Sequence, residues 1–210
     1  MMVFTKQGMV GECNATTLVA MNQMHSNEVV LIEQLDGQLV VRNGDGEFIP
    51  ISMDSNHMNA QVSTFEECTY VIDGDAMITN EKGLALSVKT ADCLPILIQS
   101  EEYVAVIHAG REGTIKGIST RVAESLKRLG VSSATAWFGP ASCFFCYQVD
   151  RETNTYFDLV FDNKAQLCQV FGSSIEIQLS GLCTQCQSNE FYSYRSGDQI
   201  DRNVFYISRL

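Results

Sequence analysis

Residues 91–110, ADCLPILIQSEEYVAVIHAG, decide the fold. Two apolar runs, LPILI and YVAVIHA, are separated by the polar residues Gln99, Ser100, Glu101 and Glu102. Short Val- and Ile-rich runs bounded by turn residues read as strands, and so brief a connection makes them an antiparallel hairpin. With Ser100 and Glu101 in the turn, facing residues carry numbers that add to 201, so Cys93 faces His108. Facing side chains share one side of a sheet with Cβ atoms about 4.5–5.5 Å apart. At that distance a thiolate and an imidazole can hold one metal ion, or the imidazole can take the thiol proton. Pro95 lacks a ladder donor, which places its strand near an edge, at a bulge or close to its end.

Directly after His108 the chain reads AGREGTIKG, leading into a helix expected to begin near Thr114. Gly110 and Gly113 let the backbone turn, and unpaired amides at the helix start form a local anion site. Ile115, Ile118, Val122, Leu126 and Leu129 recur at spacings of three and four and are followed by Gly130, the pattern of one amphipathic helix with a glycine stop. A second helix is expected within residues 156–171, ending near Gly172, with Leu167, Cys168 and Phe171 inward. The runs VVLIEQ, QLVVRN, YVIDG, ALSVKT, IEIQL and NVFYISRL add further strands. The fold class is therefore α/β, a mixed α+β arrangement, and the absence of linker-like tracts and repeats favours a single domain over 1–210.

Composition narrows the functional classes. The 210 residues are 45% hydrophobic with a mean hydropathy of 0.00, the balance of a globular chain able to bury a core without staples. Fourteen Lys and Arg against 25 Asp and Glu give a net charge of −11, which disfavours nucleic acid and anionic membranes and makes any phosphate contact local. The opening MMVFTKQGMVGEC has no secretory pattern and no apolar run approaches the length of a membrane span, so a cytoplasmic location is expected. In that setting the eight cysteines read as reduced thiols. Cys143/Cys146 and Cys183/Cys186 form two CxxC pairs, but the 36 residues between Cys146 and Cys183 exceed the usual zinc-ribbon spacing of about 15–20. The aromatic filling of CFFC reads as core packing, so neither pair is expected to hold metal.

TADCLPIL, IHAGREG, GPASCFFCYQV and CTQCQSNEFYSYR, in this order after NQMHSNEVV, resemble the YfiH family, also called the laccase-domain or polyphenol oxidase family and including FAMIN. The likeness runs from about Asn14 to the C-terminus. It implies a single three-layer α/β/α sandwich with a mixed sheet. It also implies one metal ion, zinc or alternatively copper, held by His25 of QMH, Cys93 of ADC and His108 of HAG. The implied activities are phosphorolysis of adenosine, inosine or methylthioadenosine and deamination of adenosine, with a purine nucleoside and phosphate as small-molecule partners. Copper-dependent oxidation of phenols is another activity ascribed to the family.

Three departures bear on this. The family's HAGWRG reads HAGREG here, which moves the arginine to Arg111 and introduces Glu112. Ser196 follows Arg195 where a second arginine is common. The chain also begins close to the first shared motif. Arg111 and Arg195 are the expected substrate contacts. Two imidazoles and a thiolate leave one tetrahedral position open, the mark of a catalytic zinc. No general base is evident: Asp92 should point away from Cys93 on a regular strand, and Glu112 has no family counterpart. Alternatives are a metal-free hydrolase with Cys93 as nucleophile and His108 as base, and a metal-binding member without turnover. His57 reads as a surface loop residue, and Trp137 and Phe138 read as core rather than as a base-stacking wall.

Overall fold

The computed structural model describes residues 2–5, 8–11, 15, 17–36, 38–42, 48–50 and 67–209. In chain order the strands are β1 (Met2–Thr5), β2 (Gly8–Gly11), β3 (Thr17–Asn22), β4 (Val29–Leu35), β5 (Gln38–Arg42), β6 (Phe48–Pro50), β7 (Glu67–Asp73), β8 (Ala76–Thr79), β9 (Leu84–Thr90), β10 (Leu94–Gln99) and β11 (Val104–Ala109). Helices α1 (Arg111–Ile115) and α2 (Ile118–Arg128) follow, then β12 (Ala134–Phe138), β13 (Gln148–Asp150), β14 (Thr155–Tyr156), α3 (Leu159–Phe171), β15 (Ile175–Leu179) and β16 (Asn203–Ser208). Every strand expected from the sequence is present. The short strands β3 and β8 lack a clear alternating pattern because both are buried, and the sequence did not single them out.

Two mixed sheets carry the fold, in the orders β2-β1-β16-β9-β3-β7 and β15-β12-β10-β11-β8-β4-β5-β6. Val19, Leu86, Val88 and Phe205 of the first pack against Met77, Leu97, Val104 and Val106 of the second. The opposite face of the second sheet, with Ile96, Ile98, Ala105 and Ile107, receives Ile118, Val122 and Leu126 of α2 and Leu167 and Phe171 of α3. The mixed α/β class is as expected. The layers of the described residues, however, run sheet, sheet, helices, so a second sheet stands where the α/β/α sandwich has a helical layer. β10 and β11 lie in the middle of the stack, buried on both faces, which is why they read as unbroken apolar runs. Pro95 is the second residue of β10, so its missing donor falls where the strand begins.

The single helix expected from Thr114 to Leu129 is two helices. Gly117 takes a left-handed conformation (φ 77°) between them, and Ile115 turns outward, 58% exposed. A polar knot from α3 fixes the break. The fully buried Asn163 donates to Thr114 Oγ1 (2.9 Å) and to the Leu159 carbonyl (2.8 Å), and accepts from Ser119 Oγ (2.6 Å). Gln166 donates to the Thr114 carbonyl (2.8 Å) while its oxygen accepts the Ser119 and Thr120 amides at the α2 start. Among the described residues no helix is long and apolar enough to cross a membrane. Replacing Asn163 with Ala strands two buried hydroxyls, and chemical denaturation should show a loss of about 1–3 kcal/mol with an unchanged slope.

Candidate metal centre

A buried carboxylate assembles the site. Asp75 precedes β8 and is wholly excluded from solvent. Its oxygens accept the backbone amides of Met24 (3.3 Å), His25 (3.1 Å) and Ser26 (2.6 Å), the Ser26 hydroxyl (2.6 Å) and His108 Nδ1 (2.8 Å). Burial alone would raise its pKa, but the hydrogen bonds from His108 and Ser26 and the nearby His108 charge outweigh it and hold the group at about 2. The loop joining β3 to β4 is thereby wrapped onto Asp75 with His25 in a left-handed conformation (φ 57°). His108, near the end of β11, is oriented through Nδ1, which turns its other ring nitrogen toward Cys93 and the position of a metal, the carboxylate–histidine arrangement common around metal sites.

Cys93 reaches the same point by a different register from the one expected. The hairpin pairs Pro95 with His108 and Gln99 with Val104, so facing numbers add to 203 and the turn centres on Glu101 and Glu102. Cys93 lies just ahead of β10 and does not face His108. The discrepancy is two residues, an even number, so side-chain parity survives: His108, Val106 and Leu97 all belong to the face turned to the other sheet. Asp92, at φ 90°, bends the chain just before Cys93. Its carboxylate accepts Thr184 Oγ1 (2.8 Å), Ser193 Oγ (2.7 Å) and the Arg195 amide (2.8 Å).

One potential ligand atom from each of His25, Cys93 and His108 lies within 4.8 Å of the others. The two imidazole rings meet edge to face with centroids 4.9 Å apart. Gly110 completes the cradle: a Cβ there would sit 3.2 Å from Cys93 Sγ, 3.3 Å from His25 Cδ2 and 3.5 Å from His108 Cε1. Without metal, burial pushes the Cys93 thiol up, but hydrogen bonds from His108 and His25 prevail and bring it down to about 6. Burial likewise works against a charged His108, whose bonds to Asp75 and Cys93 prevail and raise it to about 9. A thiolate beside two oriented imidazoles is a donor set that fits a divalent ion such as zinc or copper.

The cradle opens on a cavity of about 760 Å³. Arg111 and Arg195 line it, as do Lys89 and Arg202, which sequence reasoning missed because they lie on β9 and before β16, outside any recognisable motif. Tyr147 and Tyr194 add aromatic surface. Arg195 stacks on Tyr147 (4.4 Å from guanidinium carbon to ring centroid) and donates to the Gln148 carbonyl (2.9 Å). Arg111 pairs with Glu112 (3.1 Å). The helix start differs from expectation: Gly110 caps α1, and the Thr114 amide is already bonded to the Gly110 carbonyl (2.9 Å), so the helix begins at Arg111 rather than near Thr114. Gly113 is there for close packing, since a Cβ would lie 2.6 Å from the Ser26 carbonyl oxygen. Trp137 packs near Phe205 and Phe138 is buried under the helices, as core readings require. His57 lies outside the described residues. The reading of the two CxxC pairs as core is overturned, because Phe145 is 84% exposed and all four sulfurs converge.

A family model described as multi-copper polyphenol oxidoreductase laccase matches residues 6–169. The chain belongs to this family. The laccase-family fold is similar to that of YlmD from Geobacillus stearothermophilus, with a TM-score of 0.67 and 24% identity over 91% of this chain and 73% of that one. A purine nucleoside phosphorylase of Aquifex aeolicus is 34% identical over 110 residues, 52% of each chain. An adenosine deaminase, RL5, from an unknown prokaryotic organism is 30% identical over 147 residues, 58% of this chain and 56% of its own. The chain thus spans about half the length of these curated relatives. A purine nucleoside phosphorylase of Bacteroides thetaiotaomicron is 25% identical over 206 residues, 82% of this chain and 74% of its own.

Asp75 sets a pH dependence. Its folded pKa of about 2 lies below the free value of 3.8, so its contribution is complete above about pH 4 and is lost as pH falls through 2. In metal-free protein, urea denaturation should show Asp75→Asn weaker than wild type by about 2 kcal/mol near neutral pH, the gap narrowing below about pH 4.

Proposed function

We propose that this chain is a metal-dependent enzyme of purine nucleosides, carrying out phosphorolysis, deamination or both, with zinc held by His25, Cys93 and His108. The observation that carries the reading is the meeting of a two-imidazole, one-thiolate cradle with a cavity walled by four cations in a chain of net charge −11. Relatives named purine nucleoside phosphorylase and adenosine deaminase support the substrate class. When bound, the ion supplies a Lewis acid and a water acidic enough to ionise near neutral pH.

The residues divide the remaining work. Lys89, Arg111, Arg195 and Arg202 attract phosphate and neutralise its charge. Tyr194, half-exposed on the cavity wall, offers a face for a purine, while Tyr147 carries the Arg195 guanidinium. Thr90 lines the cavity with a buried hydroxyl that has no protein partner, a ready contact for a ribose or phosphate oxygen. Asp75 keeps the His108 ring in place.

The pair of Cys93 at about 6 and His108 at about 9 favours a second reading, a metal-free thiolate nucleophile beside an imidazolium. Iodoacetamide separates the two, because metal-bound Cys93 resists alkylation until the ion is stripped. Zinc-loaded protein given adenosine should form adenine only with phosphate present, or inosine without it. Cys93→Ser should lose both products while its circular dichroism stays unchanged. No product from adenosine, inosine or methylthioadenosine overturns the proposal. Because Glu112 competes with phosphate for Arg111 in an exposed pair, Glu112→Gln should lower the phosphate KM about two- to fivefold, the range of surface ion pairs, with little change in kcat.

A further inference from the structure

We propose that Cys143, Cys146, Cys183 and Cys186 form a second metal site, a closed structural zinc centre of four thiolates, separate from the His25–Cys93–His108 cradle. All four Sγ atoms lie within 4.8 Å of one another, with Cys146 and Cys186 3.5 Å apart. A tetrahedral ion with bonds of about 2.3 Å holds its sulfurs about 3.8 Å from each other, inside that range. Each CxxC pair is a tight turn that presents its two sulfurs together. In the first, the amides of Cys146 (3.0 Å) and Tyr147 (2.9 Å) bond to the Cys143 carbonyl. In the second, the Gln187 amide bonds to the Cys183 carbonyl (3.0 Å). The amides of Cys143 (3.3 Å) and Cys186 (3.4 Å) both point at Cys183 Sγ, donors that suit a metal-bound thiolate.

Topology removes the objection from spacing. β12 and β15 are parallel neighbours joined through α3, so the loops leaving their C-terminal ends emerge side by side whatever the length between them. Ala141 and Cys183 form a bridge there, with the Ala141 amide bonded to the Leu182 carbonyl (3.3 Å) and the Thr184 amide to the Ala141 carbonyl (3.2 Å). The two loops also grip Asp92, through the Ser142 amide on its carbonyl (2.9 Å) and the Thr184 hydroxyl on its carboxylate (2.8 Å). Zinc at this point pins the wall bearing Tyr147 to the bend ahead of Cys93. The four-thiolate site needs no activity from the other centre.

The deciding protein is Cys93→Ser, which keeps all four thiols and loses a ligand of the first centre. Purified from zinc-containing medium, it should hold one zinc per chain by elemental analysis. Its cobalt form should show the intense charge-transfer and visible bands of four-thiolate coordination. Chelation should release the ion, make four further thiols reactive and lower the Tm. Adding Cys183→Ser should abolish the remaining equivalent. A Cys93→Ser protein without metal, an intact mass showing disulfides among these cysteines, or an equivalent that persists after Cys183→Ser each overturns the proposal.

Discussion

The Asp75 carboxylate is the interaction on which the candidate site depends. Five donors converge on one fully buried charge, three of them consecutive backbone amides of the loop that carries His25. A buried carboxylate is costly unless its lone pairs are filled, so the loop and His108 are not free to settle independently. Satisfying the charge places two imidazoles beside each other and leaves Cys93 to close the third side. The left-handed backbone at His25 is strain that this network can hold in place.

Much of this was legible in the sequence, for reasons that differ from residue to residue. β10 and β11 were readable because central strands buried on both faces must be apolar throughout. The hairpin register was misjudged by two residues because the turn centres on Glu101 and Glu102, and the Cys93–His108 association tolerated the error because period-two geometry is blind to even shifts. His25 was reachable only by resemblance, since its approach depends on Asp75, fifty residues away and in no motif of its own. The division of the helical segment was hidden because the apolar spacing continues across Gly117, while the cause of the break is Asn163 and Gln166 on another helix. The four-cysteine cluster was discounted on linear separation, a quantity that parallel strand pairing makes irrelevant.

Two buried aspartates organise two neighbourhoods that meet at Cys93. Asp75 joins the loop that carries His25 to His108 of β11, and Asp92 gathers Thr184, Ser193 and the Arg195 amide from the C-terminal region. Arg195 is therefore fixed at its backbone by Asp92 and at its guanidinium by Tyr147 and Gln148. The cationic wall and the thiol side chain are adjoined through a single bend in the chain, held by the hydrogen bonds of the Asp92 carboxylate.

The interruption at Gly117 has a consequence for how the sequence can vary. Because α1 is anchored to α3 through Thr114 and packs closely on the Ser26 carbonyl at Gly113, the outward surface of α2, with Arg121, Glu124 and Arg128, is decoupled from the orientation of Arg111. Substitution across that exposed surface should cost little stability. The tolerance does not extend to the inner edge of α3, where Asn163 and Gln166 set the tilt of a helix they do not belong to.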